Sequence, residues 1–321
     1  MILPPGLPPA VRLAAVVAAG LVTLSPWGSP PLALGLGAAL GLVIGNPDPV
    51  RTGAVARLML QTAVVGLGFG MPIDMVLSAG ASGLGYTGLG LVAAVAMGLL
   101  LGRWLRVEQR TSFLITAGTS VCGASAIAAV GPVIGATAEA MSVALATIFI
   151  LNAAALYVFP ALGHLLNLSQ HQFAVWAALA IHDTSSVVGA AASFGPAALS
   201  EATVLKLARA LWIVPLTLAA AALARRRDPQ TAAPRRGIGI PWFIAAFVAA
   251  ALTRSLLPAA GPAFDSIARG ARVLLVLTLF LIGLGLTRAT LASVGFRPML
   301  QGVLLWAALG TATLAAVVYW V

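Results

Sequence analysis

Charge is what this sequence has least of. Only 8% of its 321 residues are Asp, Glu, Lys or Arg, where a soluble domain carries roughly 25%. So few ionisable groups cannot cover a water-facing surface, which excludes an ordinary soluble fold. A single cysteine, Cys122, excludes an internal disulfide and any multi-cysteine metal centre. HExxH, GxSxG and Walker-type loops are missing, so zinc-protease, α/β-hydrolase and P-loop chemistry find no anchor. The apolar runs also lack two-residue alternation, the mark of a transmembrane barrel.

What is there is apolar and helical in pattern. The chain is 60% hydrophobic with a mean hydropathy of +1.04. Its apolar runs of about 15 to 25 residues match helices that cross a bilayer. There every backbone group must be satisfied internally. The reading is an all-α polytopic membrane protein of about eleven transmembrane helices. Its spans fall near 10–25, 32–46, 53–71, 82–102, 111–135, 139–160, 171–195, 202–224, 239–257, 270–287 and 299–320. Proline and glycine punctuate the breaks at "SPWGSPP", "GNPDP", "RRRDPQTAAPRRG" and "LPAAGPAFD". The proline-rich start reads as a lead into the first helix rather than a cleaved signal.

The net charge of +10 would suggest nucleic acid in a soluble protein. Here it reflects arginines in loops. With the N-terminus cytoplasmic and the C-terminus periplasmic, thirteen of the 18 basic residues fall in inner segments and five in outer ones, as the positive-inside rule requires. His164 and His171 then lie in an inner loop. The polar stretch at 228–238 is a cytoplasmic linker within a single transmembrane domain, dividing helix groups 1–227 and 239–321. "VGLGFGMPIDMVLSAG" (Val65 to Gly80) resembles "IGLGLTRATLASVG" (Ile282 to Gly295) and runs the opposite way, as an inverted-topology repeat would. Chance recurrence of Gly-Leu-Gly competes with that reading. "SVCGA" at Ser120 and "SVVGA" at Ser186 also match, but on spans that run in parallel.

Chemistry concentrates in two spans. "AGTSVCGASAIAAVGP" gathers Thr119, Ser120, Cys122, Gly123 and Ser125. Such residues either let helices approach closely or mark an interrupted helix whose free termini hold a solute. "AIHDTSSVVGAA" places His182 and Asp183 before Thr184, Ser185 and Ser186. A carboxylate at membrane depth costs at least about 2.5 kcal/mol and is a functional candidate by default. Adjacent helical residues point about 100° apart, so His182 and Asp183 share a direction only where the helix breaks. A packing His–Asp pair is the alternative; the broken helix is preferred. Lys206, the one lysine, and Arg209 share a helix face. They either snorkel to headgroups or face the cavity, attracting an anion or pairing with Asp183. Asn152 is an interhelical hydrogen-bonding group or an ion ligand. A hydrolase built on Ser120 or Cys122 with His182 and Asp183 fits poorly, because an orienting acid normally reaches its histidine from elsewhere in the fold.

These segments, with "ALATIFILNAAALYVFP", "KLARALWIVP" and "GLGLTRATLASVGFRPMLQGVLLW", resemble the YeiH-type bacterial inner-membrane family. Its members are long-standing conserved hypothetical proteins that often carry a sulfate-exporter label. The likeness runs from "VVGLGFGM" to the C-terminus. The family often shows His-Glu where this chain has His182-Asp183, a carboxylate one methylene shorter. The resemblance implies a fold related to the cation:proton antiporter and anion transporter superfamily, with inverted repeats and discontinuous crossing helices.

The expected function is therefore not enzymatic. It is secondary active transport of a small anion such as sulfate or an organosulfur compound, with no cofactor and no nucleic-acid partner. Thr119, Ser120, Cys122, Gly123, Ser125, Thr184, Ser185, Ser186, Lys206 and Arg209 would bind substrate, with helix N-termini near Thr119–Ser120 and Thr184–Ser186. His182, Asp183 and Asn152 would handle coupling H⁺ or Na⁺. A homodimer in the lipid bilayer is the arrangement common among related transporters. A cation/proton antiporter and a non-transporting receptor or subunit are the competing classes.

Overall fold

The computed structural model describes residues 8–25, 28–227 and 242–321, and every regular element among them is helical. Residues 1–7 and the 228–238 linker lie outside the described residues. The first four helices are α1 (Pro9–Thr23), α2 (Pro30–Val43), α3 (Pro49–Gly68) and α4 (Ile73–Trp104). Seven follow without a long break: α5 (Gln109–Ser120), α6 (Ala124–Val133), α7 (Ala138–Leu165), α8 (Gln170–Ala180), α9 (Thr184–Phe194), α10 (Pro196–Ala210) and α11 (Ile213–Arg227). The last are α12 (Trp242–Leu256), α13 (Gly261–Leu284), the short α14 (Arg288–Ala292) and α15 (Phe296–Trp320). Among the described residues four helices are long and apolar enough to cross a membrane, five if the pair α3 and early α4, bent by 113°, is one span. The chain is an all-α polytopic membrane protein.

Local chemistry explains the punctuation. Proline opens α1, α2, α3 and α10, where its missing N–H costs no intrahelical bond. Asp48 and Thr137 cap α3 and α7, and Ser169 with Gln172 forms a capping box on α8. Tight packing relies on missing side chains: a Cβ at Gly37 would sit 2.1 Å from the Phe280 carbonyl oxygen, and one at Gly283 2.3 Å from that of Leu34. Glycine alone lets α2 and α13 approach this closely.

Two expected spans do not cross. Residues 170–194 go in and come back out on the same side. Gln170 Oε1 accepts from the Ala197 and Ala198 N–H groups at 2.9 and 3.2 Å, His171 Nδ1 lies 2.6 Å from Glu201 Oε1, and the Phe173 and Phe194 rings stack at 3.8 Å. Both ends of the segment therefore meet the start of α10. Residues 109–133 behave likewise. The Ile127 side chain packs on Gly118, and Arg110 Nη2 lies 3.8 Å from where a Cβ on Gly135 would be. Arms of 10 to 12 residues reach roughly 15 to 18 Å at 1.5 Å per residue, half of the ~30 Å hydrocarbon core.

The hairpins enter from opposite faces. α7 runs between them, with Met141 against Gly131 of the first hairpin near its start and Gly163 against Phe173 and Phe194 of the second near its end. Both tips meet α7 midway, where a Cβ on Gly123 would lie 3.3 Å from Ile148 Cγ2 and 3.2 Å from Asp183 Cβ. A hairpin followed by a long crossing segment thus occurs twice, inverted: α5–α6 with α7, then α8–α9 with α10–α11.

This corrects the expected path. Two spans become re-entrant, which leaves the parity of the remaining crossings unchanged. Arg103, Arg110 and Ala224 border one cavity, and Arg288 Nε donates to the Leu42 carbonyl at 2.9 Å. His164 and His171 move to the opposite face from Arg110, alongside Phe194 and Glu201. The helices before and after the undescribed linker intermix: α13 packs along α2 and α3, and α15 against α5 and α8. α3 and α13 do run antiparallel, with Gly66 against Ala271 and Gly70 against Ala268, so the two Gly-Leu-Gly stretches end helices on opposite faces.

Candidate functional site

The site is built where the hairpin tips meet. Val121, Cys122 and Gly123 turn the first hairpin, and Ile181, His182 and Asp183 turn the second. Gly123 takes φ +58° and ψ −123°, a conformation that costs any other residue strain. At the second tip the turn is made by side-chain bonding. The Asp183 carboxylate accepts from the N–H groups of Ser185 and Ser186, both at 3.3 Å, from the Ser186 hydroxyl at 3.2 Å, and from the Ser185 hydroxyl. It thereby caps α9, where a negative group meets the positive end of the helix dipole.

Helix polarity orders the rest. The first arms, α5 and α8, point their C-terminal carbonyls at the crossing, and the second arms, α6 and α9, point their N-termini there. The carbonyl ends need donors in a region without bulk water. Arg209 and Lys206, both on α10, supply them. Arg209 Nε and Nη2 donate to the Ser120 carbonyl at 3.1 and 2.7 Å, and Nη2 also to that of Thr119 at 3.0 Å. Its Nη1 donates to the Ala178 carbonyl at 3.0 Å and to that of Leu179. Lys206 Nζ donates to the carbonyls of Ile181 at 2.6 Å and Ala178 at 3.4 Å. One guanidinium therefore binds the ends of both hairpins' first arms.

Several expectations are corrected here. Lys206 and Arg209 do not snorkel: they are 0% and 5% exposed. α10 starts at Pro196, so Lys206 lies almost three turns inside the helix rather than at its mouth. Neither is in a salt bridge with Asp183; both serve backbone carbonyls. Thr119 and Ser120 end α5 and so offer carbonyl oxygens, not a helix N-terminus. The Ser120 hydroxyl donates back to the Thr116 carbonyl at 2.7 Å. Thr184 to Ser186 do begin a helix, but its terminus is already filled by Asp183.

What remains accessible is specific. Asp183 is half-buried, and Ala124 and Ser125 at the start of α6 are half-buried and exposed, while Cys122 and Gly123 are buried. α6 has no side-chain cap. His182, 1% exposed, and Asn152, 3% exposed, have no hydrogen-bond partner on either polar side-chain atom, and Thr119 Oγ1 has none either. Asn152 shares a face of α7 with Ile148 and Leu156, which touch Gly123 and Gly189. Buried polar groups are nearly always paired, so these side chains hold hydrogen-bonding capacity that the fold itself does not use. Among the described residues no three His, Cys, Asp or Glu side chains could hold a metal ion together.

The composition alone did not point to Gln301. Its buried amide donates to the Gly98 carbonyl at 3.0 Å, to the Ser112 hydroxyl at 2.9 Å and carbonyl at 3.2 Å, and to Thr116 Oγ1 at 3.3 Å. It ties α15 and α4 to the first hairpin. Its signal was a lone amide in an apolar run. The inverted units have a faint echo as well: "AEAMSVALA" from Ala138 and "SEATVLKLA" from Ser200 align Glu139 with Glu201 and Ala144 with Lys206.

Together these features define a helical membrane protein with two opposed re-entrant hairpins meeting at a polar crossing. The chain belongs to the family described as Conserved hypothetical protein 698, whose model matches residues 10–302. It is similar to the UPF0324 membrane protein of Bacteroides thetaiotaomicron, 44% identical over 94% of this chain and 89% of that one. The UPF0324 membrane protein of Bdellovibrio bacteriovorus is 46% identical over 93% and 92%, and that of Geobacter sulfurreducens 44% over 91% and 92%. No solved structure matches.

Proposed function

We propose that this protein is a secondary active transporter that moves a small anion, sulfate or an organosulfur anion, by ion-coupled alternating access. It would work in a bacterial inner membrane with its arginine-rich face toward the cytoplasm. The carrying observation is the meeting of two hairpin tips, entered from opposite faces, midway along α7. Polar backbone at membrane depth is tolerated only inside protein or beside a water-filled cavity, and opposed broken helices are a recurrent way of holding a solute there. The uncapped start of α6, with exposed Ser125, is the surface for the anion. The formal charge of Lys206 and Arg209 exceeds that of Asp183 and favours it. His182, Asn152 and Thr119 carry the unused hydrogen-bonding capacity. Asp183, the accessible carboxylate, is the coupling group for H⁺ or Na⁺. In proteoliposomes Asp183→Asn should abolish gradient-driven sulfate flux while leaving a folded, monodisperse protein, since asparagine caps helices as well as aspartate. Undiminished flux in that variant removes Asp183 from the mechanism.

A second reading, a cation/proton antiporter, draws on one observation. Both basic side chains at the crossing are engaged by carbonyls, whereas Asp183 is partly accessible. Na⁺-dependent proton flux in sulfate-free medium is the result that would favour it.

A further inference from the structure

A second concave site lies away from the crossing, on the arginine-rich face. A cavity of about 490 Å³ opens between the end of α4, the base of the first hairpin and the end of α11, within the range of roughly 300–1,000 Å³ usual for ligand clefts. Its polar lining is Arg103, Arg110, Gln109 and Ser112, and no acidic residue borders it among the described residues. Neither guanidinium is in an ion pair among the described residues. The neighbouring carboxylate, Glu108, accepts from the Arg110 and Thr111 backbone N–H groups at 3.0 and 2.6 Å, and it feels the Arg110 charge without forming an ion pair with it.

The rest of the wall is apolar, and it does not stop at the cavity. Leu99 and Leu223 line it and are also 37% and 55% exposed. The wall therefore continues onto the outer surface, with Trp104, 73% exposed, on the following turn. Tryptophan at that depth marks the membrane–water interface. A free inorganic anion would use the two arginines and leave this wall bare. A molecule with a phosphate and hydrocarbon chains uses both. Arginine pairs bind phosphate oxygens through directed, charge-assisted hydrogen bonds, and basic pockets between membrane helices hold anionic headgroups.

We propose that this cavity binds one anionic phospholipid, its phosphate between Arg103 and Arg110 and its acyl chains along Leu99 and Leu223. The occupant sits between α11 and the base of the first hairpin. It is independent of whatever solute the crossing carries.

Delipidated protein in neutral detergent supplies the test, by native mass spectrometry and thermal shift. The probes are phosphatidylglycerol, phosphatidylcholine, glycerol 3-phosphate and inorganic phosphate. Phosphatidylglycerol should give a single retained adduct and raise the melting temperature with concentration, and the other three should not. R103Q/R110Q should weaken the adduct roughly tenfold, as loss of a charge-assisted contact predicts. R51Q, an exposed arginine at the start of α3 that does not line the cavity, should leave it unchanged. If the double variant is not monodisperse, R103Q and R110Q alone are used, each expected to weaken binding several-fold. An equal shift with phosphatidylcholine, an equal shift with glycerol 3-phosphate or phosphate, or full retention of the adduct in the arginine variants overturns the proposal.

Discussion

The two hairpins are nearly equal in length, enter from opposite faces and meet at one point of α7, yet their tips are chemically unlike. The first turns on Val-Cys-Gly and owes its shape to a backbone conformation. The second turns on Ile-His-Asp and owes its shape to a carboxylate that gathers four donors. The crossing segments that follow also differ: α7 offers Ala144 where α10 offers Lys206 at the matching position. Nearly all ionisable character at the crossing therefore comes from the second unit. The first hairpin provides architecture and an open helix start; the second provides the carboxylate, and the α10 that follows it provides Arg209, which holds the first in place.

That asymmetry can be broken on purpose. The largest effect should follow Arg209→Met, which strands carbonyls of both hairpins. Breaking a buried charged network costs about 3–5 kcal/mol, so a thermal scan in detergent should show a severely lowered melting temperature or no folded protein. Lys206→Met removes donors from the second hairpin only and should cost about 1.5–3 kcal/mol. Near-equal losses in the two variants would contradict the claim that Arg209 serves both hairpins. Gly123→Ala forces a side chain into a strained backbone and against Asp183, a cost of about 1–3 kcal/mol. The same substitution at Gly53, inside α3 with nothing within 4 Å of its Cβ, should leave the melting temperature unchanged or slightly raised.

The smallest effect concerns the caps outside the membrane core. Burial alone would raise the Glu108 carboxyl. The N–H bonds from Thr111 and Arg110, with the Arg110 charge, outweigh that and hold it below its ordinary 4.5. A carboxyl depressed in the folded state stabilises fully above its unfolded pKa and loses that contribution as pH falls through the folded value. Glu108→Gln should cost about 1 kcal/mol at neutral pH and flatten the acid limb of a stability–pH profile. An unaltered limb would show that the cap contributes nothing.

Much of this was legible in the residues. Scarce charge and apolar runs identify an all-helical membrane protein, and Ser120 and Asp183 flank real breaks. The turnback is not legible, because two half-length arms make an apolar run as long as one full span. Hydropathy records depth, not direction, so residues 111–135 and 171–195 read as crossings. Two such errors leave the parity of the remaining crossings unchanged, while Lys206 and Arg209, counted with the outer residues, are buried at the crossing. Lys206 was misplaced for a related reason. With α9 and α10 joined through Gly195 alone, the start of the crossing helix falls earlier than polarity suggests, and a residue that looks interfacial is buried. The match of "SVCGA" with "SVVGA" pointed at the right segments in the wrong register, since one straddles a tip and the other lies within α9.

The grip of a single guanidinium on both hairpins has a mechanical consequence. Sliding one tip past the other would tear Arg209 from oxygens of Thr119 and Ser120 or of Ala178 and Leu179, abandoning them in a medium with no substitute donors. The two turns and α10 are in effect riveted. Any rearrangement that bares the crossing first to one compartment and then to the other must carry them together as a block, with the slip plane at its perimeter.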